Sequence, residues 1–183
     1  ITREMYLLIL FMVNTFLRPS DIKLLRHRNV QVVDNEHHYL RIQTDTSKTV
    51  KSAVVSMEAA VGIFDEIRDL QQSLDRPTGS EDFVFFPHLP NRDYALQTMR
   101  RHFERILDEA QLKRSATGEP RTLYSLRHTA IMFRLTMGDH IDLLSLARNA
   151  RTSVDMIERF YARPLQAEMN VGKIQSMRKP ASR

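Results

Sequence analysis

Three cations stand where the chain turns or a helix begins. Arg18 precedes Pro19 in Leu17-Arg18-Pro19-Ser20-Asp21-Ile22, Lys48 falls in the polar stretch Thr46-Ser47-Lys48-Thr49, and Arg127 lies in Tyr124-Ser125-Leu126-Arg127-His128-Thr129. A guanidinium is a planar fork that matches two non-bridging phosphate oxygens, and a helix start adds backbone donors. Each of the three can reach a common phosphate. The same arginines also suit a structural use, in which Arg18 and Arg127 pair with Asp21 or another acid and pin helices together. Other chemistries lack their residues. With no Cys there is no thiol nucleophile and no cysteine zinc site, and there is no Gly-rich phosphate loop, Gly-x-Ser-x-Gly elbow or His-Glu-x-x-His. Glu36-His37-His38 is the only local cluster of ligand types, and it sits in a predicted turn without a partner elsewhere. No metal and no cofactor is therefore expected.

The elements that must hold these cations follow from periodicity. Residues 4–16 are apolar nearly all round and predict a buried helix, and Pro19-Ser20-Asp21 supplies a fresh helix start after a turn at Leu17–Arg18. Val30-Gln31-Val32-Val33, Tyr39-Leu40-Arg41-Ile42 and Ala53-Val54-Val55 are short β-prone runs separated by polar turns. They predict a small antiparallel sheet of three strands within residues 29–56, with Lys48 in the turn between the last two. Apolar positions 57, 60, 61, 64, 67, 70 and 74 follow helical spacing, as do Leu96, Met99, Phe103, Ile106 and Ala110 within 94–112. After a polar loop at 113–121, three short helices are expected: Ser125 caps the first and Gly138 ends it, Asp139 caps the second, and Thr152 or Ser153 caps the third.

Composition bounds the rest. The chain has 183 residues, 42% hydrophobic and 27% charged, with 5 Gly and 7 Pro, which excludes a disordered or fibrous chain and fits one domain with at most a small appendage. Its longest apolar run, Met5–Val13, is too short to cross a bilayer and is followed by no small-residue cleavage site, so a cytoplasmic protein without a membrane partner is expected. Residues 1–96 hold 11 basic and 13 acidic side chains, whereas residues 97–183 hold 16 and 9, so the net charge of +5 comes from the second half. Such an asymmetry suits phosphate binding through counterion release, and it suits a solvated basic surface equally.

Order along the chain separates these readings. Arg18 in its Leu-Arg-Pro-Ser-Asp setting, Lys48 in a strand turn, Tyr124-Ser125-Leu126-Arg127-His128-Thr129, and Tyr161 in Ile157-Glu158-Arg159-Phe160-Tyr161 together resemble the catalytic domain of tyrosine recombinases, the phage integrase family, over residues 3–165. The resemblance implies an α+β fold, mainly α-helical with a small three-stranded antiparallel sheet. It also implies that Arg18 and Arg127 are the two catalytic arginines, Lys48 the β-hairpin lysine, Tyr161 the nucleophile and Asp21 the acidic support. The implied reaction is site-specific DNA recombination without a metal ion, in which the tyrosine cuts DNA through a 3′-phosphotyrosyl link and a 5′-hydroxyl rejoins it.

The sequence departs from the family pattern at three places. Tyr124 stands where a His is usual, Thr152 stands where His or Trp is usual, and Arg151 stands where Gly is common. Tyr124 can still hydrogen-bond a phosphate oxygen and is counted among the catalytic positions, with Thr152 as support. His128, adjacent to Arg127, points about 100° away from it on a helix and is expected behind the site or in the core.

Residues 1–165 are read as the catalytic domain and 166–183 as a tail that family members exchange between subunits. An upstream core-binding domain is expected as the missing half of the DNA clamp. The resemblance implies duplex DNA as partner, a homotetramer on DNA, a monomer as an isolated domain, and a nucleoid-associated protein of a bacterium or phage. The competing readings are a helix-turn-helix regulator built on residues 125–161, for which Lys48 has no use, and a decayed recombinase that binds DNA without cutting it.

Overall fold

The structure, a computed structural model, describes residues 1–44, 53–138 and 141–159. At its centre lies α1 (Arg3–Thr15), packed against α3 (Ala59–Ser73), α4 (Arg92–Glu109) and α5 (Ser125–Met137). Because neighbours cover several faces, Met5, Leu7, Leu8, Phe11 and Met12 are all buried, which explains the unbroken apolar run. Each such side chain contributes about 1.5–3 kcal/mol on burial. Thr2 Oγ1 accepts from the Met5 N–H at the start of α1. Nearby, the buried Glu4 carboxylate takes hydrogen bonds from Gln71 Nε2 (2.9 Å), the Phe86 N–H (2.8 Å) and Arg76 Nη1 (2.9 Å), tying α1 to the end of α3 and the loop beyond it.

Phe16 closes α1 in the left-handed region, φ 58°, and the chain re-enters a helix at α2 (Pro19–Leu24). Pro19 suits a first helical turn, where no N–H is needed. Asp21 Oδ2 accepts the Arg18 N–H at 2.9 Å, which fixes Arg18 at the helix start. A sheet follows, with β1 (Val30–Asp34), β2 (His38–Ile42) and β3 (Val54–Val55) antiparallel in that order and Val30 opposite Ile42, Arg41 opposite Val55. Leu40, Ile42 and Val54 are its buried residues, and α3 packs against β2.

Among the described residues the last part is three helices: α5, α6 (Leu143–Asn149) and α7 (Val154–Ile157). Gly138 ends α5, as the sequence predicts, but Ser125 is not its cap. Ser125 is the first residue of the helix, and its hydroxyl accepts the Thr122 N–H at 3.0 Å, holding the turn that leads in. Asp142 Oδ1 caps α6 by accepting the Ser145 N–H at 2.8 Å, while the expected cap Asp139 lies outside the described residues. Of the two candidates at α7, Ser153 is the cap, accepting from the Met156 N–H at 3.2 Å. The whole is mainly helical with one small antiparallel sheet, the expected architecture. Among the described residues no helix is long and apolar enough to cross a membrane.

Candidate active site

The site is organised around four consecutive residues, 149–152, at the end of α6. Asn149 docks on the exposed edge of β3 in strand fashion: its Oδ1 accepts the Val55 N–H at 2.8 Å and its Nδ2 donates to the Val55 carbonyl at 2.9 Å. The Ala150 carbonyl accepts from Arg127 Nη2, and the Arg151 carbonyl accepts from Arg18 Nη2 at 2.7 Å. Thr152 donates its N–H to Ala147 O at 2.9 Å and Arg151 donates its own to Arg148 O at 3.0 Å. These two bonds are the Schellman pattern, which requires a left-handed residue after the cap, and Arg151 has φ 51°. Two sequence-distant arginines thus converge on successive carbonyls of one turn.

The arginines differ in exposure. Arg127 is 2% exposed; its Nη1 donates to the Phe16 carbonyl, which the left-handed turn after α1 presents to it. Arg18 is partly exposed and lines a cleft of about 300 Å³ with Ser20, Arg100, Glu104, Thr122 and Tyr124. Among the described residues its guanidinium makes only the bond to Arg151, so further donors remain for a ligand in that cleft. Tyr124 is 39% exposed, and its ring meets His128 edge-on at 5.0 Å. Burial first, and the Arg127 charge second, hold His128 below the ordinary imidazole value of 6.5, so it is neutral at neutral pH and keeps an acceptor nitrogen.

Behind Arg18, the Arg151 side chain turns inward. Its Nη2 lies 2.5 Å from Asp21 Oδ2, with the two side chains 8% and 3% exposed, and its Nη1 donates to Thr44 Oγ1. Asp21 thereby serves both arginines, accepting the backbone N–H of Arg18 and the guanidinium of Arg151. Three guanidinium groups gathered about one turn form a cationic centre suited to an anion with several acceptor oxygens, such as a phosphodiester.

The structure brings together Arg18, Asp21, Arg127 and the turn containing Thr152, with Tyr124 sharing the cleft of Arg18 and His128 beside Tyr124. Lys48 and Tyr161 lie outside the described residues. His37 and His38 are exposed at the β1–β2 turn. Sequence reasoning missed the side chains of Arg151, Thr44 and Arg100. A basic residue at a helix end carries no sign of what it will meet; only the left-handed position of Arg151 had a signal, because Gly is common at that place in the family pattern.

Residues 2–139, well over half of the chain, match the sequence model of the phage integrase family. The chain belongs to that family. This integrase-family chain also resembles solved structures. It matches the XerA recombinase with a TM-score of 0.58 at 16% identity, covering 97% of this chain and 65% of that one. It matches the Tn1549 transposon integrase, solved in complex with transposon right-end DNA, with a TM-score of 0.56 at 16% identity, covering 94% and 58%. At such identity the likeness is one of fold, that of the tyrosine recombinase catalytic domain. The chain spans less than two thirds of either of those chains. No curated protein sequence matches it. The family match ends before Thr152 and Tyr161.

Proposed function

We propose that this chain is the catalytic part of a site-specific DNA recombinase that cuts and rejoins strands through Tyr161. The observation that carries the reading is the convergence of Arg18 and Arg127 on the carbonyls of residues 150 and 151, with Arg18 opening onto the cleft it shares with Tyr124. That convergence joins the two arginines of the motif series, and membership of the phage integrase family supplies its context.

In this reading the scissile phosphate enters the cleft against Arg18. The Tyr161 hydroxyl gives up its proton to water as its oxygen attacks phosphorus, the bond to the 5′-oxygen breaks, and Lys48 gives that oxygen a proton, leaving DNA joined through a 3′-phosphotyrosine. Arg18 and Arg127 offset the charge that grows on the equatorial oxygens, with the Tyr124 hydroxyl as a further donor. Asp21 and Thr152 support this arrangement, and His128 stands behind Tyr124. Chain lengths are compatible with it. Lys48 is four residues beyond Thr44 and Tyr161 four beyond Ile157, and four residues span at most about 14 Å. Attack by a 5′-hydroxyl of another strand reverses the step and conserves bond energy, so no nucleotide cofactor is required.

Duplex DNA is the proposed partner, bound between this domain (residues 1–165) and an upstream one. A tetramer forms on DNA by exchange of residues 166–183, and the isolated chain is a monomer. The test is a nicked suicide substrate, from which the cleaved fragment diffuses away, run on a denaturing gel beside Tyr161→Phe. A shifted covalent band present only without the substitution is expected. Retention of DNA with no band on any substrate would replace this reading with DNA binding alone.

A further inference from the structure

Among the described residues, and apart from Phe16 at the end of α1, three helices end in a Schellman turn whose left-handed residue is not glycine. Asp75, Gln111 and Arg151 follow α3, α4 and α6 with φ of 52°, 57° and 51°. Asp75 and Gln111 are exposed, whereas the Arg151 side chain is 8% exposed. A non-glycine residue in this conformation carries a conformational cost and persists where its surroundings over-determine it. At Arg151 those surroundings are specific. Its guanidinium meets Asp21 at 2.5 Å and Thr44 Oγ1, while its carbonyl holds Arg18 at 2.7 Å. One residue therefore ties the start of α2, the exit from β2 and the turn after α6.

We infer that Arg151 is a positioning residue, whose guanidinium occupies Asp21 so that the Arg18 guanidinium stays directed at the cleft. Asp21 and Arg18 are three residues apart and already linked through the Arg18 N–H. Taking Arg151 away removes a cation from the Asp21 carboxylate and leaves the guanidinium of Arg18, whose backbone N–H already binds Asp21, to take its place, since Lys23, nearer in sequence, is paired with Asp93. The cleft then loses its open donor.

The inference rests on the recombinase reading for its catalytic arm, and its test separates the two. The full chain, Arg151→Gly, Asp21→Asn and the double variant are compared on the suicide substrate for rate of covalent-complex formation and for DNA affinity. Glycine accepts the left-handed turn and keeps the carbonyl, so only the side chain is removed. Asparagine keeps an oxygen for the Arg18 N–H while removing the charge. Arg151→Gly is expected to slow covalent-complex formation by about tenfold to hundredfold, the scale of a displaced catalytic group, with DNA affinity little changed. Adding Asp21→Asn is expected to restore most of that loss, which a merely structural role would not allow. Phenylglyoxal modification of Arg18, read by peptide mass spectrometry, gives a second arm that needs no cleavage. It is expected to slow several-fold in Arg151→Gly and recover in the double variant. If the unsubstituted chain forms no covalent complex, the recombinase reading fails and the modification arm alone decides the positioning role. An unchanged cleavage rate in Arg151→Gly, no recovery on adding Asp21→Asn, or unchanged Arg18 reactivity where cleavage is absent overturns it.

Discussion

Replacing Arg127 by Met separates what the two arginines do for the fold from what they do for the reaction. Arg127 is 2% exposed and donates to two carbonyls, Phe16 O and Ala150 O, from opposite ends of the chain. A hydrogen bond from a charged donor contributes about 1.5–3 kcal/mol, and methionine supplies none while leaving both carbonyls short of a partner. Two such bonds sum to about 3–6 kcal/mol, offset in part because the apolar side chain no longer has a charge to desolvate. The net loss is about 2–4 kcal/mol. For a domain of this size about 2–4 °C follows each kcal/mol, so the melting midpoint should fall by roughly 5–15 °C. Arg18 is partly exposed and makes one such bond, whose contribution falls because water can satisfy both partners there, so Arg18→Ala should cost about 1 kcal/mol and move the midpoint by only a few degrees. Thermal unfolding followed by far-ultraviolet circular dichroism measures both. An Arg127→Met midpoint within about 2 °C of the unsubstituted chain, or Arg18→Ala melting below Arg127→Met, would refute the assignment of Arg127 as the buried tie between the α1 turn and the α6 turn.

Two further outcomes follow from the geometry. A methyl group added at Gly138 would lie 2.4 Å from the Arg134 carbonyl, a backbone atom that cannot step aside, so Gly138→Ala should destabilise by about 1–3 kcal/mol; an unchanged melting midpoint contradicts this. Burial is the first cause lowering His27, His88 and His128 below 6.5, and among the described residues the buried Nε2 of His27 has no hydrogen-bond partner. The folded chain then binds fewer protons than the unfolded one as pH falls from 6.5 through the lowered values. Stability present above 6.5 is lost in that window, and the melting midpoint should be lower at pH 5.5 than at pH 7.5. An equal or higher midpoint at pH 5.5 would contradict it.

Much of the fold was legible because it rests on local patterns. The apolar run of α1, the alternating short runs of the sheet and the 3.6-residue spacing of α3 and α4 each state their element without reference to the rest. Capping was less legible. Ser125 has the right chemistry for a cap, yet its hydroxyl serves the Thr122 N–H, and whether a serine opens a helix or holds the turn before it depends on backbone geometry. The site was legible in part. The motif series singled out Arg18, Asp21 and Arg127, which the fold gathers at one turn. The pairing of Arg151 with Asp21 spans 130 residues, and no local signal marks which of 27 basic side chains will be buried. The docking of Asn149 on Val55 is of the same kind, since the edge of β3 has no mark in the sequence of α6.

The central claim is that a tyrosine of this chain becomes joined to DNA, and the most direct measurement is to locate that bond. The covalent complex formed on a suicide substrate would be digested with nuclease and protease and the nucleotide-bearing peptide sequenced by mass spectrometry. The account predicts a 3′-linked nucleotide on Tyr161. An adduct on Tyr124 or any other residue, or protein that retains DNA and carries no adduct, would contradict it.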